Sequence, residues 1–114
     1  MKDIKEKSKY RLIYTSMMDE ISKIREMGAR KYGDPESWKT TLPIDHIEAA
    51  ERHIRQFMDG EIYDKESGYT HAAHAICNLM FEIERLKILG KEYDIHRFKL
   101  QNYDKELKDK EKYF

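Results

Sequence analysis

Apolar residues recur every three or four positions along three segments of the chain, which is the spacing of a helix face that packs against a core. The first segment runs from about Lys9 to Lys31. Gly28 and Gly33 bracket its C-terminal end, where a helix is expected to stop. Its predicted core positions are Ile13, Met17, Ile21, Ile24 and Met27.

Two more segments have the same helical spacing. The second begins near Pro43, a residue suited to the first turn of a helix, and ends at Gly60. Its predicted core positions are Ile47, Ala50, Ile54, Phe57 and Met58. The third begins near Thr70, a residue suited to N-capping, and stops at Gly90. Its predicted core positions are Ala72, Ile76, Leu79, Met80, Ile83, Leu86 and Leu89.

The last segment, residues 91–114, is strongly charged and has only a thin apolar stripe, at Ile95, Phe98, Tyr103 and Leu107. Alternating Lys and acidic residues would support a helix there through i, i+4 pairs. No useful length of chain has the two-residue period of a strand. The sequence therefore predicts an all-α fold, a small bundle of three core helices plus a charged C-terminal helix. Residues 1–8 are predicted to be disordered, 9–90 to form the helical domain, and 91–114 the C-terminal helix or tail.

Composition narrows the function classes. A chain of 114 residues with 39% hydrophobic residues suits one domain with a modest core, and such chains often complete that core by oligomerising. A formal net charge of zero argues against a protein that follows a nucleic-acid backbone. The chain has no signal-peptide core, no membrane-length apolar run and a single cysteine, Cys77, predicted to be a buried structural thiol. We expect a cytoplasmic homo-oligomer that binds neither a nucleic-acid polymer nor a membrane.

Polar residues form a second stripe on the third helix. His71, His74, Asn78 and Glu82 follow at offsets of three and four, so they share one helix face. Imidazoles and carboxylates bind divalent metals and move protons. The alternative is a polar helix–helix or subunit contact, which deserves equal weight for the histidine pair alone. Asn78 favours a site, because asparagine is a poor helix former unless it bonds something.

The second helix carries a possible cation and phosphate site. Glu48 and Glu51, three residues apart, suit a shared hard cation such as Mg²⁺, and the guanidinium of Arg52 suits a phosphate. The alternative is an exposed ladder in which Glu51 simply pairs with Arg55, and taken alone this alternative has the greater weight.

Two loops add further candidates. Lys31 and Arg30 could bind phosphates, and Tyr32 or Trp38 could stack on a base. The alternative is a helix C-terminus whose cations are favoured by the helix dipole, with a tryptophan that packs the loop onto the core. In the loop Gly60–Gly68, Asp64 and Glu66 could complete a cation site, or the loop is an ordinary polar one. His46 and His96 are predicted to be surface residues.

Together these segments resemble a phage-associated family of dATP/dGTP diphosphohydrolases, distant relatives of the MazG-like all-α NTP pyrophosphatases. The resemblance covers about residues 10–86. It rests on Gly28-Ala29-x-Lys31-Tyr32-Gly33, Trp38, Ala50-x-Arg52-His53, Gly60-Glu61, Asp64-x-Glu66-Ser67-Gly68 and His71-x-Ala73-His74-Ala75-x-x-Asn78. It implies a nucleotide-binding helical domain that cleaves a purine nucleoside triphosphate between its α- and β-phosphates with Mg²⁺ or Mn²⁺, releasing monophosphate and pyrophosphate.

The chain departs from the MazG-like pattern at one point. Those enzymes carry ExxE on one helix and ExxD on the next. Glu48-x-x-Glu51 matches the first half, whereas the second half falls on His71-x-x-His74, which has no carboxylate. Because Mg²⁺ prefers oxygen ligands, the two histidines favour Mn²⁺ or a softer ion.

The first hypothesis is a metal-dependent purine nucleoside triphosphate pyrophosphohydrolase of a phage, acting in the bacterial host cytoplasm. The predicted metal ligands are Glu48, Glu51, Asp64, Glu66 and His74. The predicted catalytic residues are His71, His74 and Glu48. The predicted substrate-binding residues are Lys31, Tyr32, Trp38, Arg52, His53, Ser67 and Asn78.

Two other hypotheses remain. One is a non-catalytic phage protein that binds and sequesters nucleotides, including cyclic nucleotide immune signals. The other is a helical adaptor that binds a partner through its tail, which we rank last because it leaves the polar stripe of the third helix without a purpose.

Overall fold

The structure, a computed structural model, describes residues 7–100, and this range is helical as predicted. It contains the helices α1 (Thr15–Tyr32), α2 (Pro43–Met58) and α3 (His71–Leu89), with short 3₁₀ helices at Tyr10–Leu12, Ser37–Thr40 and Gly90–Glu92. One isolated bridge pairs Tyr63 with Thr70, and residues 7–100 form no strand. In the same range, no helix is long and apolar enough to cross a membrane. The predicted disorder of residues 1–6 and predicted helix of residues 101–114 lie outside the described residues.

The helix ends follow the local chemistry of the sequence. α1 ends at Gly33, which adopts a left-handed φ of 77° while its N–H donates to the carbonyl of Ala29. α2 has Pro43 in its first turn, where a missing N–H costs nothing. α3 is capped by Thr70, whose hydroxyl oxygen accepts the N–H of Ala73 at 3.1 Å. All three predicted helices are therefore present, although α1 begins at Thr15 rather than near Lys9.

α3 is the central element, because it packs against both α1 and α2. One core cluster joins α1 to α3 and consists of Ile21, Ile24, Ala73 and Cys77. A second joins the end of α3 to the surrounding loops and consists of Trp38, Ile88, Leu89 and Leu100. The prediction that Cys77 is buried is confirmed, and burial raises the pKa of its thiol.

The predicted core face of α3 is wrong. Most of its members are exposed, between 37% for Met80 and 55% for Ile83: Ile76, Leu79, Met80, Ile83 and Leu86. The helix instead buries the polar residues His71, Glu82 and Arg85 beside Ala73 and Cys77. Buried polar side chains need hydrogen-bonding partners, and the spacing of apolar residues in the sequence cannot predict such partners.

The α2 prediction is also partly wrong. Ala50 is buried as expected, but Ile54, Phe57 and Met58 are exposed. His46, predicted to lie on the surface, is 7% exposed, whereas His96 is exposed as predicted. α2 lies against α3 as far as His53, which contacts His71 and His74, whereas residues 54–58 are all exposed.

Residues 93–100 are not helical, contrary to the prediction for this part of the charged C-terminal segment. They pack back on the bundle through backbone bonds: Ile44 N–H donates to the carbonyl of Ile95 at 2.8 Å, and Leu100 N–H donates to that of Lys39. Leu100 is 1% exposed. This return of the chain encloses one end of α3.

Candidate functional site

A cleft of about 780 Å³ lies between the three helices. α1 contributes its last turns, α2 the face that contains Ala49 and Arg52, and α3 the face that contains His74 and Asn78. The loop before α3 contributes Asp64 and Ser67. The volume lies within the range of small-molecule sites in proteins.

Cations surround one part of the cleft. Lys31, Arg52 and Arg25 all line it. The Lys31 ammonium lies 3.3 Å from a carboxylate oxygen of Glu66, and this hydrogen bond raises the pKa of Lys31. Both partners are more than half exposed, so an incoming anion could displace Glu66 at little cost.

Aromatic rings form another wall. Trp38 stacks on Phe81 with ring centroids 5.2 Å apart and planes 11° apart, and the Arg25 guanidinium lies 5.0 Å from the Phe81 centroid. The indole N–H of Trp38 donates to Glu36 at 3.0 Å. Tyr32 is 66% exposed at the rim. The wall is therefore rigid at Trp38 and Phe81 and open at Tyr32.

A buried carboxylate orients a histidine that the sequence placed on the surface. Nδ1 of His46 lies 2.6 Å from Glu82 Oε2, and Glu82 also accepts hydrogen bonds from Tyr93 and Arg85. Burial alone would raise the pKa of Glu82, but the hydrogen bonds from His46, Tyr93 and Arg85 outweigh burial and lower it. With Nδ1–H donated to this carboxylate, the His46 ring presents Nε2 as its remaining acceptor at the cleft.

Three histidines, one serine and one aspartate meet at the other end of the cleft. His53 Nδ1 lies 2.8 Å from His71 Nδ1, and the rings of His53 and His74 stack 4.6 Å apart. His74 Nε2 lies 2.7 Å from the Ser67 hydroxyl and 3.9 Å from Asp64. Because the Ser67 oxygen accepts the N–H of Tyr69, its proton is left for His74.

Two imidazoles of this group, those of His53 and His74, have a lowered pKa, which favours their neutral form. Burial is the largest effect on the pKa of His74 and lowers it. The neighbouring His71 lowers this pKa further, whereas the Asp64 carboxylate acts to raise it. Burial, His74 and His71 likewise lower the pKa of His53. For Asp64, burial acts to raise the pKa, but hydrogen bonds from Ser67 and the nearby histidines give a net lowering. Neutral imidazoles beside an ionised carboxylate can accept protons or bind a cation.

Most of the predicted site residues meet at this cleft. Three of the predicted metal ligands line it: Asp64, Glu66 and His74. All seven predicted substrate-binding residues line it as well: Lys31, Tyr32, Trp38, Arg52, His53, Ser67 and Asn78. The Asn78 amide donates to the His74 carbonyl at 2.9 Å, which explains how an asparagine is accommodated in mid-helix.

Three predicted residues are not brought to the cleft. Glu48 and Glu51 are exposed on α2 and do not line the cleft. Glu51 pairs with Arg55 at 3.3 Å, which is the exposed ion pair given as the alternative in the sequence analysis. His71 is fully buried below the cleft floor. The face of α2 that lines the cleft is centred near Ala49, and positions 48 and 51 lie about 100° and about 160° away from it around the helix axis.

Sequence reasoning missed Arg25, His46 and Phe81 as cleft residues. Only His46 had a usable signal, because it lies seven residues before His53 and therefore on the same face of a helix. Arg25 and Phe81 lie within stretches that look like an ordinary polar face and an ordinary core position.

Comparison with known proteins shows the family of the chain. The model of the family described as dATP/dGTP diphosphohydrolase, N-terminal, matches residues 1–95. A protein of Salmonella phage PMBT28 named dATP/dGTP diphosphohydrolase is 31% identical over 70 residues, which are 61% of this chain and 24% of that protein. The chain thus matches about a quarter of the length of this curated relative. No solved structure matches. The family match covers most of the chain, including every residue that lines the cleft, so this protein belongs to the dATP/dGTP diphosphohydrolase, N-terminal, family.

Proposed function

We propose that the cleft binds a purine nucleoside triphosphate and hydrolyses it to monophosphate and pyrophosphate. The observation that carries the proposal is one cleft with cations, a fixed aromatic wall and a neutral Ser67–His74 pair, in a chain whose family is named for dATP and dGTP. A homo-oligomer in the bacterial host cytoplasm, where nucleotide pools lie, is part of the same proposal.

The phosphates fit the cationic part of the cleft. Arg52 is the only predicted substrate residue with a planar fork that can bind two phosphate oxygens at once, and Lys31 can exchange its exposed pairing with Glu66 for a phosphate. Phosphoryl transfer depends mainly on positioning and on neutralising charge that develops on the phosphate oxygens. Arg52 and Lys31 would supply both.

His74 is the best-placed proton acceptor. It is held between the ring of His53 and the Ser67 hydroxyl, and its lowered pKa keeps Nε2 available as an acceptor near pH 7. A water molecule that displaces the Ser67 hydroxyl from His74 Nε2 would direct its own proton at that nitrogen, as general-base catalysis requires.

The base fits the wall formed by Trp38 and Phe81. His46 lies against this wall, 4.9 Å from Phe81 by ring centroids, with Nε2 as a fixed acceptor. Both adenine and guanine carry an exocyclic amine that could donate to such an acceptor, so His46 fits a purine without choosing between the two.

The carboxylate pair that the family resemblance assigns to Mg²⁺ does not fit. Glu48 and Glu51 are exposed and lie outside the cleft lining. No step of the proposed reaction is therefore assigned to an ion on Glu48 and Glu51.

The decisive experiment follows product formation. Purified protein is incubated with each of the four dNTPs, with and without Mn²⁺, and chromatography separates monophosphate, diphosphate and triphosphate. We expect dATP or dGTP to yield monophosphate, and Arg52→Ala to lower kcat/KM by roughly 10²-fold. Arg55→Ala is the matched control, since this arginine lies on the same helix but pairs with Glu51 away from the cleft. Absence of turnover with every nucleotide and metal would overturn the hydrolase proposal.

One observation favours a second function, nucleotide sequestration without hydrolysis. Glu48 and Glu51, the pair matched to the family's cation ligands, are exposed and absent from the cleft lining. A protein of this kind would bind nucleotide stoichiometrically and return it intact. Calorimetry followed by chromatography of the released ligand separates the two functions, because a fragmented ligand excludes sequestration.

A further inference from the structure

Within residues 7–100, three side chains of metal-ligating types come together beside the cleft. His53, Asp64 and His71 each offer one ligand atom, and these atoms all lie within 4.8 Å of one another. They come from three different parts of the chain: the middle of α2, the loop before α3 and the first residue of α3. In the proposed hydrolysis the His53 ring holds His74 in place, whereas Asp64 and His71 have no assigned step.

His71 is the most informative of the three. It is 0% exposed, and its Nε2 has no hydrogen-bond partner. Nε2 nevertheless lies 3.4 Å from Glu61 Oε2, while Nδ1 on the opposite side of the ring faces His53. This is the arrangement of a metal-bound histidine, which binds the ion through one nitrogen and donates its other N–H to a carboxylate.

The distances suit an ion. The two Nδ1 atoms are 2.8 Å apart. Two nitrogens that bind one ion at about 2.1 Å lie about 3.0 to 3.4 Å apart, so a small outward movement would admit it. The surroundings already hold the other ligands in place, because His53 stacks on His74 with planes 7° apart and Asp64 accepts the N–H of Ser67 at 2.9 Å.

We propose that His53, Asp64 and His71 bind one divalent transition-metal ion, with Glu61 accepting a hydrogen bond from His71 outside the coordination sphere. Two imidazoles and one carboxylate select ions such as Mn²⁺, Fe²⁺, Co²⁺ or Zn²⁺ over Mg²⁺, which prefers oxygen ligands. His53 and Asp64 also line the cleft, so the remaining coordination positions are open to a water or to a ligand oxygen. This site replaces the Glu48–Glu51 pair rather than extending it.

The test uses Co²⁺ as a spectroscopic probe of tag-free full-length protein, without nucleotide. We expect visible d–d absorption that saturates at one Co²⁺ per chain and is displaced by Zn²⁺ but not by excess Mg²⁺. His53→Ala and Asp64→Asn should each weaken Co²⁺ binding at least tenfold, and Glu61→Gln by about 10- to 100-fold. His96→Ala is the control, because this exposed histidine lies outside the cluster, and its Co²⁺ affinity should equal that of the wild type.

His53 and Asp64 are partly exposed, so their variants should keep the fold, which circular dichroism checks. Absence of d–d bands in the wild type, or equal Co²⁺ affinity in folded His53→Ala and wild type, would overturn the proposal. Nucleotide binding is not needed for the signal, so this result is independent of the proposed hydrolysis.

Discussion

Glu82 is a buried carboxylate on which three polar side chains converge. It is 4% exposed and contacts His46, Arg85 and Tyr93, and Arg85 in turn is 0% exposed and donates to the carbonyls of Trp38, Thr41 and Phe98. This network connects α3 to the loop before α2 and to the returning chain.

Neutralising Glu82 should therefore be costly. Glu82→Gln leaves the buried Arg85 guanidinium without its compensating charge, and breaking a buried ion pair in this way costs about 3–5 kcal/mol. Urea unfolding measures the loss. Glu84→Gln is the matched control on the exposed side of the same helix and should change stability by less than about 0.5 kcal/mol. Equal stability of the two variants would mean that the network contributes little.

The same carboxylate predicts a pH dependence. The pKa of Glu82 in the folded protein is lowered from its ordinary value of 4.5, because hydrogen bonds outweigh the opposing effect of burial. Its stabilisation is thus fully present above about pH 4.5 and is lost as the pH falls through the lower, folded-state value. The difference in unfolding free energy between wild type and Glu82→Gln should be constant from pH 7 to about pH 5 and narrow below that. A difference that stayed constant down to pH 3 would contradict the assignment.

Tyr93 gives the corresponding prediction at alkaline pH. Burial and its hydrogen bond to Glu82 raise its pKa to about 12, so its stabilisation is present below the ordinary value of 10 and is lost as the pH rises through about 12. Ultraviolet titration of tyrosinate should show one tyrosine that ionises later than the exposed ones. Replacement by phenylalanine should remove that late component, and a late component that persists in Tyr93→Phe would assign it to another tyrosine.

At the scale of the elements, the sequence predicts the helices better than it predicts their orientation. Gly33, Pro43, Thr70 and Gly90 each act locally, through φ, a missing N–H or a capping oxygen, so they locate helix ends without knowledge of the fold. Which face of α3 turns inward depends on partners from elsewhere in the chain, such as His46 for Glu82. The same reason explains why Arg52 and Ser67 reach the cleft as expected whereas Glu48 and Glu51, one face away on α2, do not.

The two glycines near the end of α1 make a matched test of this local control. Gly33 has a φ of 77°, a conformation that costs an L-residue roughly 1–2 kcal/mol, so Gly33→Ala should destabilise the protein by about that amount. Gly28 lies inside α1 with nothing within 4 Å of an added Cβ, so Gly28→Ala should stabilise it by about 0.5–1 kcal/mol. Urea unfolding measures both. Effects of the same sign would refute the assigned backbone conformations.

At the scale of the whole molecule, α3 has polar contacts inside and apolar residues outside. The exposed face, formed by Ile76, Leu79, Met80, Ile83 and Leu86, has the three- and four-residue steps of a helix that packs against another helix. A second copy of the chain presents the same face, and two such faces related by a two-fold axis are self-complementary. The homo-oligomer of the proposed function would bury this face against the α3 of a second copy.

Ile83 is the residue that tests this interface, because it is the most exposed member of the face at 55%. Ile83→Lys would place an ammonium in the apolar contact and should weaken self-association by at least about tenfold, or 1.4 kcal/mol. Light scattering after size exclusion should then give a mass near 13.8 kDa at concentrations where the wild type gives a multiple of it. Leu12→Lys, at an exposed apolar position outside α3, should leave the wild-type mass unchanged. A wild type that elutes as a monomer at all concentrations would exclude the interface and leave the α3 face to a different partner.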